Sequence, residues 1–372
     1  MGQQRQKIAI AAGILTSTLV AALMAAAVWP AQAQQPGGAA LTGKVYILLP
    51  RTTALRFEKW DRPFLVEAFK KHAPNLEVTV LNAQDSAAEQ ERQFETALAN
   101  RAKGIVLACV NPDAAGGMLA KAKAANVPVV NHANQCNGGP VSYRVLASFE
   151  QVGEDQAKYV SQNLPASPRP LKVAKMFSDP TNALYKAWVV GFDKYFDPLI
   201  KNGTVQIVCA ADAGSWSPAK VQANMEQCLT KTNNAVDAVM VMNDDTGNGV
   251  IAAVQAQSLE GKVKLFGGYD ATLAAVQRVL AGWQVSDMYA PYSTMADRSA
   301  QMLISEMAKT PPPAGFVVGT VDNKFMQVPA VPLDNTLVTA DNIQKSVVDA
   351  GLWSKAELCD PKGIAAKSAF CR

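Results

Sequence analysis

Histidine is almost absent: 372 residues hold two, His72 and His132. A metal centre built on several imidazoles is therefore nearly excluded, and no metal or cofactor is expected. Charge is sparse, at 18% of residues, and the net charge is only +4. Arg5 and Lys7 fall in the first 33 residues, which contain no acid, so about +2 remains on the rest. That is no footprint of a nucleic-acid binder, which needs a concentrated basic face. Signature motifs of catalysis are missing as well. There is no G-x-S-x-G, no H-E-x-x-H, no phosphate loop and no glycine-rich dinucleotide fingerprint. No two cysteines stand as C-x-x-C, which weakens zinc and thiol-redox readings. Beyond the first 33 residues no run is apolar and long enough to cross a membrane. The sequence therefore reads as a binding protein rather than an enzyme.

What is present begins with a leader. Arg5 and Lys7 precede an apolar stretch over 8–28, followed by Trp29-Pro30 and Ala31-Gln32-Ala33. A basic start, an apolar centre and a small-x-small ending predict an export signal, 1–33, cleaved after Ala33. The alternative is an uncleaved anchor, because the stretch is long for a signal. Export places the protein in an oxidising compartment, the periplasm. Six cysteines follow the leader: Cys109, Cys136, Cys209, Cys228, Cys359 and Cys371. An even count in an exported chain favours disulfides, and sequence allows fifteen pairings. Pairing between sequence neighbours, 109–136, 209–228 and 359–371, is preferred. Cys109 and Cys136 each close an apolar run, and parallel neighbours in one sheet would bring those ends together.

With 49% hydrophobic residues the chain is globular, and its length favours two domains over one core. After 43, short apolar runs alternate with helical patterns. Strands are predicted at 45–49, 77–81, 104–109, 127–131 and 145–149. A second series follows at 172–177, 204–209, 238–242, 263–267 and 284–289. Apolar strands separated by amphipathic helices indicate parallel sheets covered on both faces. Two such series predict an α/β fold of two doubly wound lobes. Polar and aromatic residues cluster just after the strands: Asn131-His132, Phe149-Glu150, Ser178-Asp179, Asn243-Asp244-Asp245 and Tyr269-Asp270. Ligands bind outside the carboxyl ends of such strands. The same residues also suit helix N-caps.

Several ordered stretches resemble the periplasmic monosaccharide-binding proteins of ABC importers, and among them the xylose-binding proteins. They are LRFEKWDRPF at 55–64, SFEQVGEDQA at 148–157, VMNDDTGNGVIAAV at 241–254, GKVKLFGGYDATLAAVQRVLAG at 261–282 and the closing stretch 328–353. The resemblance spans about 44–358. It implies a type I periplasmic binding fold, two lobes joined by a three-strand hinge, with a sugar between them. Trp60 and Trp216 would be aromatic platforms, although either also suits a core; Trp188, within a helical pattern, reads as core. Asp179, Asn182, Asn243 and Asp270 would be hydroxyl partners. Asp61 and Arg62 belong to the first loop, Glu150 falls near a crossing, and Asn131 and His132 follow the fourth strand. Two departures stand out. Relatives carry Asp-Arg where this chain has Asn131-His132, and xylose binders carry Lys where it has Ala290 before Pro291. Hydrogen bonds to charged groups contribute roughly 1.5–3 kcal/mol each. Losing two such donors points away from xylose, toward another monosaccharide or polyol.

The lobes implied are 43–147 plus 291–327 and 148–290 plus 328–358, with a tail at 359–372. Hinges are expected near 147–151, 288–292 and 327–332. The expected partners are a sugar or polyol and the permease subunits of an ABC transporter, with no nucleic acid. Rival readings are a sugar-sensing receptor of the same fold, signalling to a sensor kinase or chemoreceptor, and a carbohydrate-active enzyme.

Overall fold

The computed structural model describes residues 40–372 apart from 53, 167, 179, 181 and 182. The expected leader and two expected ligand residues, Asp179 and Asn182, lie outside the described residues. Among the described residues no helix is long and apolar enough to cross a membrane.

The first lobe is built on strands β1 (Gly43–Leu49), β2 (Leu76–Asn82), β3 (Gly104–Leu107), β4 (Val129–His132) and β5 (Tyr143–Ala147). Their spatial order is β2-β1-β3-β4-β5, all parallel. Helices α1 (Arg62–His72), α2 (Ala87–Ala99) and α3 (Gly116–Ala124) make the crossovers. β1, β3 and β4 are buried almost throughout, as a sheet covered on both faces requires.

The second lobe follows with α4 (Phe149–Gln162), β6 (Leu171–Phe177), α5 (Ala183–Lys201), β7 (Val205–Asp212) and α6 (Pro218–Lys231). It continues through β8 (Ala238–Val241), α7 (Asp244–Ala256), β9 (Lys264–Gly267), α8 (Leu273–Leu280) and β10 (Asp287–Tyr289). Its parallel sheet runs β7-β6-β8-β9, and a single bridge from Leu265 to Gln284 extends it toward β10. The chain then returns to the first lobe as α9 (Tyr292–Ala308), β11 (Thr320–Asp322) and β12 (Gln327–Leu333). It finishes on the second with β13 (Thr336–Val338), antiparallel to β10, and the short α10 (Lys355–Leu358).

Three segments cross between lobes: Ala147 to Ser148, Tyr289 to Tyr292, and Leu333 to Thr336. Two details differ from the sequence expectation. β12 pairs with β5 as far as Leu333, so the last crossing begins there rather than at 328. The run 145–149 is not all strand: the Ser148 side chain accepts the Gln151 amide hydrogen and starts α4 at Phe149. A serine oxygen satisfying an otherwise unpaired helix amide sets that boundary more firmly than the apolar run extends it.

α4 and α5 cross at glycines. A Cβ on Gly153 would lie 2.0 Å from the Trp188 carbonyl oxygen, and one on Gly191 would lie 1.9 Å from that of Glu150. Only hydrogen fits at either place, so the helices touch backbone to backbone. The disulfides are Cys109–Cys136, Cys209–Cys228 and Cys359–Cys371, with Cα separations of 5.5, 5.9 and 5.4 Å. The first joins the ends of neighbouring strands β3 and β4, as the sequence argument proposed.

Candidate site between the lobes

The loop after β1 leads into a single wide turn, Phe57–Asp61, that runs straight into α1. Pro63 brings no N–H, and just before it the Arg62 amide reaches back to the Phe57 carbonyl. The turn and α1 bury one face: Arg56, Phe57, Trp60, Asp61, Leu65, Ala68 and Phe69. The spacing is that of a helix with one side against protein.

On that face the Asp61 carboxylate is completely buried and collects three hydrogen bonds. Arg56 Nε and one terminal nitrogen donate at 2.8 and 3.2 Å, and His132 Nε2 lies at 2.9 Å. A carboxylate only accepts, so Nε2 carries the hydrogen. The other ring nitrogen of His132 meets Ser299 Oγ on α9 at 2.8 Å. Burial alone would raise the Asp61 pKa; the Arg56 charge and the His132 contact outweigh it and bring it down to about 2. The Arg56 guanidinium also lies over the Tyr292 ring, 4.4 Å from its centroid. Tyr292 in turn stacks on Trp60 at 5.1 Å with planes 9° apart.

The second lobe faces this layer with the loop after β9. Three of its five residues, 268–272, have positive φ, namely Gly268 at 122°, Asp270 at 107° and Ala271 at 48°, and Gly267 at the end of β9 has a φ of 90°. For Asp270 that conformation is costly, on the order of 1–3 kcal/mol, and such strain clusters at ligand sites. Its amide donates to the Met288 carbonyl at 2.8 Å, and the Tyr292 hydroxyl donates to its oxygens at 3.3 Å. Burial pushes the Asp270 carboxyl up to about 8, with Asp244 and Asp245 adding to the rise and Arg56 opposing it. At neutral pH Asp270 is therefore mostly protonated and can donate as well as accept.

Of the residues singled out in the sequence, Trp60, Asp61, His132 and Asp270 come together here. Trp216 is half-buried in the loop between β7 and α6. Others are engaged elsewhere. The Asn131 amide donates to the Leu107 and Asn134 carbonyls and accepts from the Cys136 amide and Arg144. It holds the loop that carries the first disulfide. Arg62 points the opposite way from Arg56 and pairs with Glu58 at 2.6 and 3.0 Å. Glu150, in the first turn of α4, pairs with Lys194 of α5 at 2.7 Å on the surface. Asn243 caps α7, accepting from the Thr246 amide at 3.2 Å.

Arg56, Tyr292 and Trp353 were not anticipated. For Arg56 a signal existed. Positions 56 and 60 are one helical turn apart, as are 58 and 62, so the two pairs lie on different faces. The apolar side, continued by Leu65 and Phe69, is the one that carries Arg56.

Comparison with known proteins agrees with this architecture. Residues 45–310 match the periplasmic binding protein domain family. The D-xylose-binding periplasmic protein of Haemophilus influenzae is 31% identical over 306 residues, 82% of this chain and 89% of that protein. The chain belongs to the periplasmic monosaccharide-binding proteins. The Escherichia coli D-xylose-binding periplasmic protein is 28% identical over 304 residues, 82% of this chain and 90% of its own. Among solved structures, a carbohydrate transporter solute-binding protein from Chloroflexus aurantiacus, in complex with D-glucose, superposes with a TM-score of 0.74. At 21% identity, over 85% of this chain and 98% of that one, the last match speaks to the fold alone. The family's two-lobed architecture accounts for the three crossings and for the polar loops meeting between the lobes.

Proposed function

We propose that the protein captures a monosaccharide or a related polyol between its lobes in the periplasm and delivers it to an ABC permease. One observation carries this reading: Arg56, Trp60, Asp61 and His132 of the first lobe converge with Asp270 of the second across Tyr292 of a crossing segment. A sugar presents apolar C–H faces and a rim of hydroxyls. Flat aromatics suit the first, and charged or protonated polar groups suit the second. In this reading Arg56 and Asp270 bond hydroxyls, and Trp216 covers a ring face. Asp61 and His132 hold Arg56 in place, and Asn131 shapes the loop behind them. Asp179 and Asn182 keep the role the resemblance gives them. Ligand bridges the lobes only when they are closed, so binding shifts the population toward the closed form.

Xylose is not the favoured ligand. A His hydrogen-bonded to Asp61 and Ser299 stands where the resemblance implies an Arg, and Ala290 stands where the resemblance to xylose binders implies a Lys. The test is a thermal-shift screen against pentoses, hexoses, polyols and sugar acids, followed by solution scattering. A true ligand at a hundred times its dissociation constant adds about 2.7 kcal/mol of stability. It should also shrink the radius of gyration and be recovered unchanged. A tight ligand that leaves the radius unaltered, or a sugar that is turned over, would sink the proposal.

A further inference from the structure

The C-terminal segment makes a contact between the lobes that the sugar-binding reading does not use. Trp353 is buried, and its indole Nε1 donates to the Ala271 carbonyl at 2.8 Å, beside the Asp270 loop. The same segment is fastened to the second lobe at several further points. The Tyr289 hydroxyl donates to the Ser346 carbonyl at 2.6 Å, and Gln277 donates to the carbonyls of Glu357 and Leu358. Ser354 and Glu357 cap α10 reciprocally, and the Cys359–Cys371 disulfide closes the tail behind it. Trp353 is thus a rigid part of the second lobe.

Its ring, however, faces the first lobe. It meets Trp60 edge-on, with centroids 5.6 Å apart and planes at 85°. The Lys59 ammonium sits 3.8 Å from its centroid. Both partners belong to the turn Phe57–Asp61 of the first lobe. An edge-to-face aromatic pair and a cation over an indole are both favourable arrangements. Both contacts join the lobes, so a rotation about the crossings would act on the two together.

We propose that Trp353 is a latch residue that holds the lobes closed by gripping Lys59 and Trp60, and so sets ligand affinity without being a ligand contact. The proposal rests on the reading that the lobes close around a sugar. Contacts made only in the closed form raise the competent fraction, and apparent affinity scales with that fraction.

The experiment measures the closed-to-open ratio of the full protein by solution scattering. Wild type is compared with Lys59→Ala, Lys59→Arg and Trp353→Ala, without ligand and with saturating D-glucose, D-xylose or myo-inositol. Trp353→Ala should lower the ratio about five- to thirty-fold, the range that one or two kcal/mol gives. Lys59→Ala, a change at a half-buried surface position, should lower it about two- to five-fold. Lys59→Arg keeps a cation over the ring and should restore it. Equal compaction of wild type and Lys59→Ala, or failure of arginine to restore it, would overturn the latch. If Trp353→Ala fails to fold, the lysine pair decides alone. If the wild type is open and none of the sugars compacts it, the closure reading fails first and the latch falls with it.

Discussion

Replacing Gly153 with alanine sets two known effects against each other. Gly153 is in the middle of α4, where alanine is favoured over glycine by about 1 kcal/mol. Propensity alone therefore predicts a stabilised protein. Packing predicts the reverse. The new Cβ would stand 2.0 Å from the Trp188 carbonyl oxygen and 2.8 Å from the Phe192 amide nitrogen. Both are backbone atoms of α5 and cannot rotate away. Ordinary contact begins near 3.4 Å, so the helices would have to part by more than an ångström. That parting would also pull the Trp188 indole, which donates to Gln156 Oε1 at 2.7 Å, away from α4. Overpacking costs about 1–3 kcal/mol where side chains can adjust, and more where they cannot. The upper end applies, leaving a net loss of about 2 kcal/mol or more. In a domain of this size that lowers Tm by about 4–8 °C. A thermal melt by circular dichroism checks it. A Tm equal to or above the wild type would refute backbone contact at this crossing.

Asp61→Asn leaves the Arg56 charge buried without its counter-charge and should cost about 3–5 kcal/mol, read by denaturant unfolding. Adding Arg56→Met should recover most of that loss; a single-variant cost below about 1 kcal/mol would mean the pair is not buried. Asp270 keeps its proton in the fold up to about pH 8, against 3.8 for the free side chain, so stability falls as pH rises across that window. Asp270→Asn should flatten the fall between about pH 6 and 8, where Asp244, pushed to about 6, has largely titrated, although Asp287 continues to contribute. Asp61, held near 2, works with the opposite sign: its contribution is complete above 3.8 and is lost only as pH drops toward 2. Changing Cys109 and Cys136 together to serine reopens a loop of 27 residues and should cost about 3.5 kcal/mol, seen as a lower unfolding midpoint.

Much of the fold was legible because parallel strands buried on both faces leave a run of apolar residues that no other element explains. β1, β3, β6 and β8 all lie where such runs predict strands. The segment 284–289 was harder: only Asp287–Tyr289 pairs as a strand, because β13 arrives from a distant part of the chain to complete it. Candidate site residues divided on the same principle. A strand end says that a side chain is near the ligand side of a sheet, not whether a neighbour claims it first. Asn131 and His132 are adjacent in sequence, yet the asparagine amide is consumed by its own loop while the imidazole reaches Asp61 and Ser299. Arg56 and Arg62 show the same division across one helical turn.

The sequence alone determined the two-lobed α/β plan, which follows from a short-range pattern, the spacing of apolar runs. It left fifteen cysteine pairings open with neighbour pairing preferred, and the structure made the choice. Only the tertiary structure decided which polar groups share the interior between the lobes. Asp61 and His132 are separated by 71 positions, Asp270 and Tyr292 by 22, and Trp353 reaches Ala271 across 82. A carboxylate's partners, and with them its charge state, depend on distance and burial. Those are set when the crossings bring the lobes together, and no local pattern in the chain encodes them.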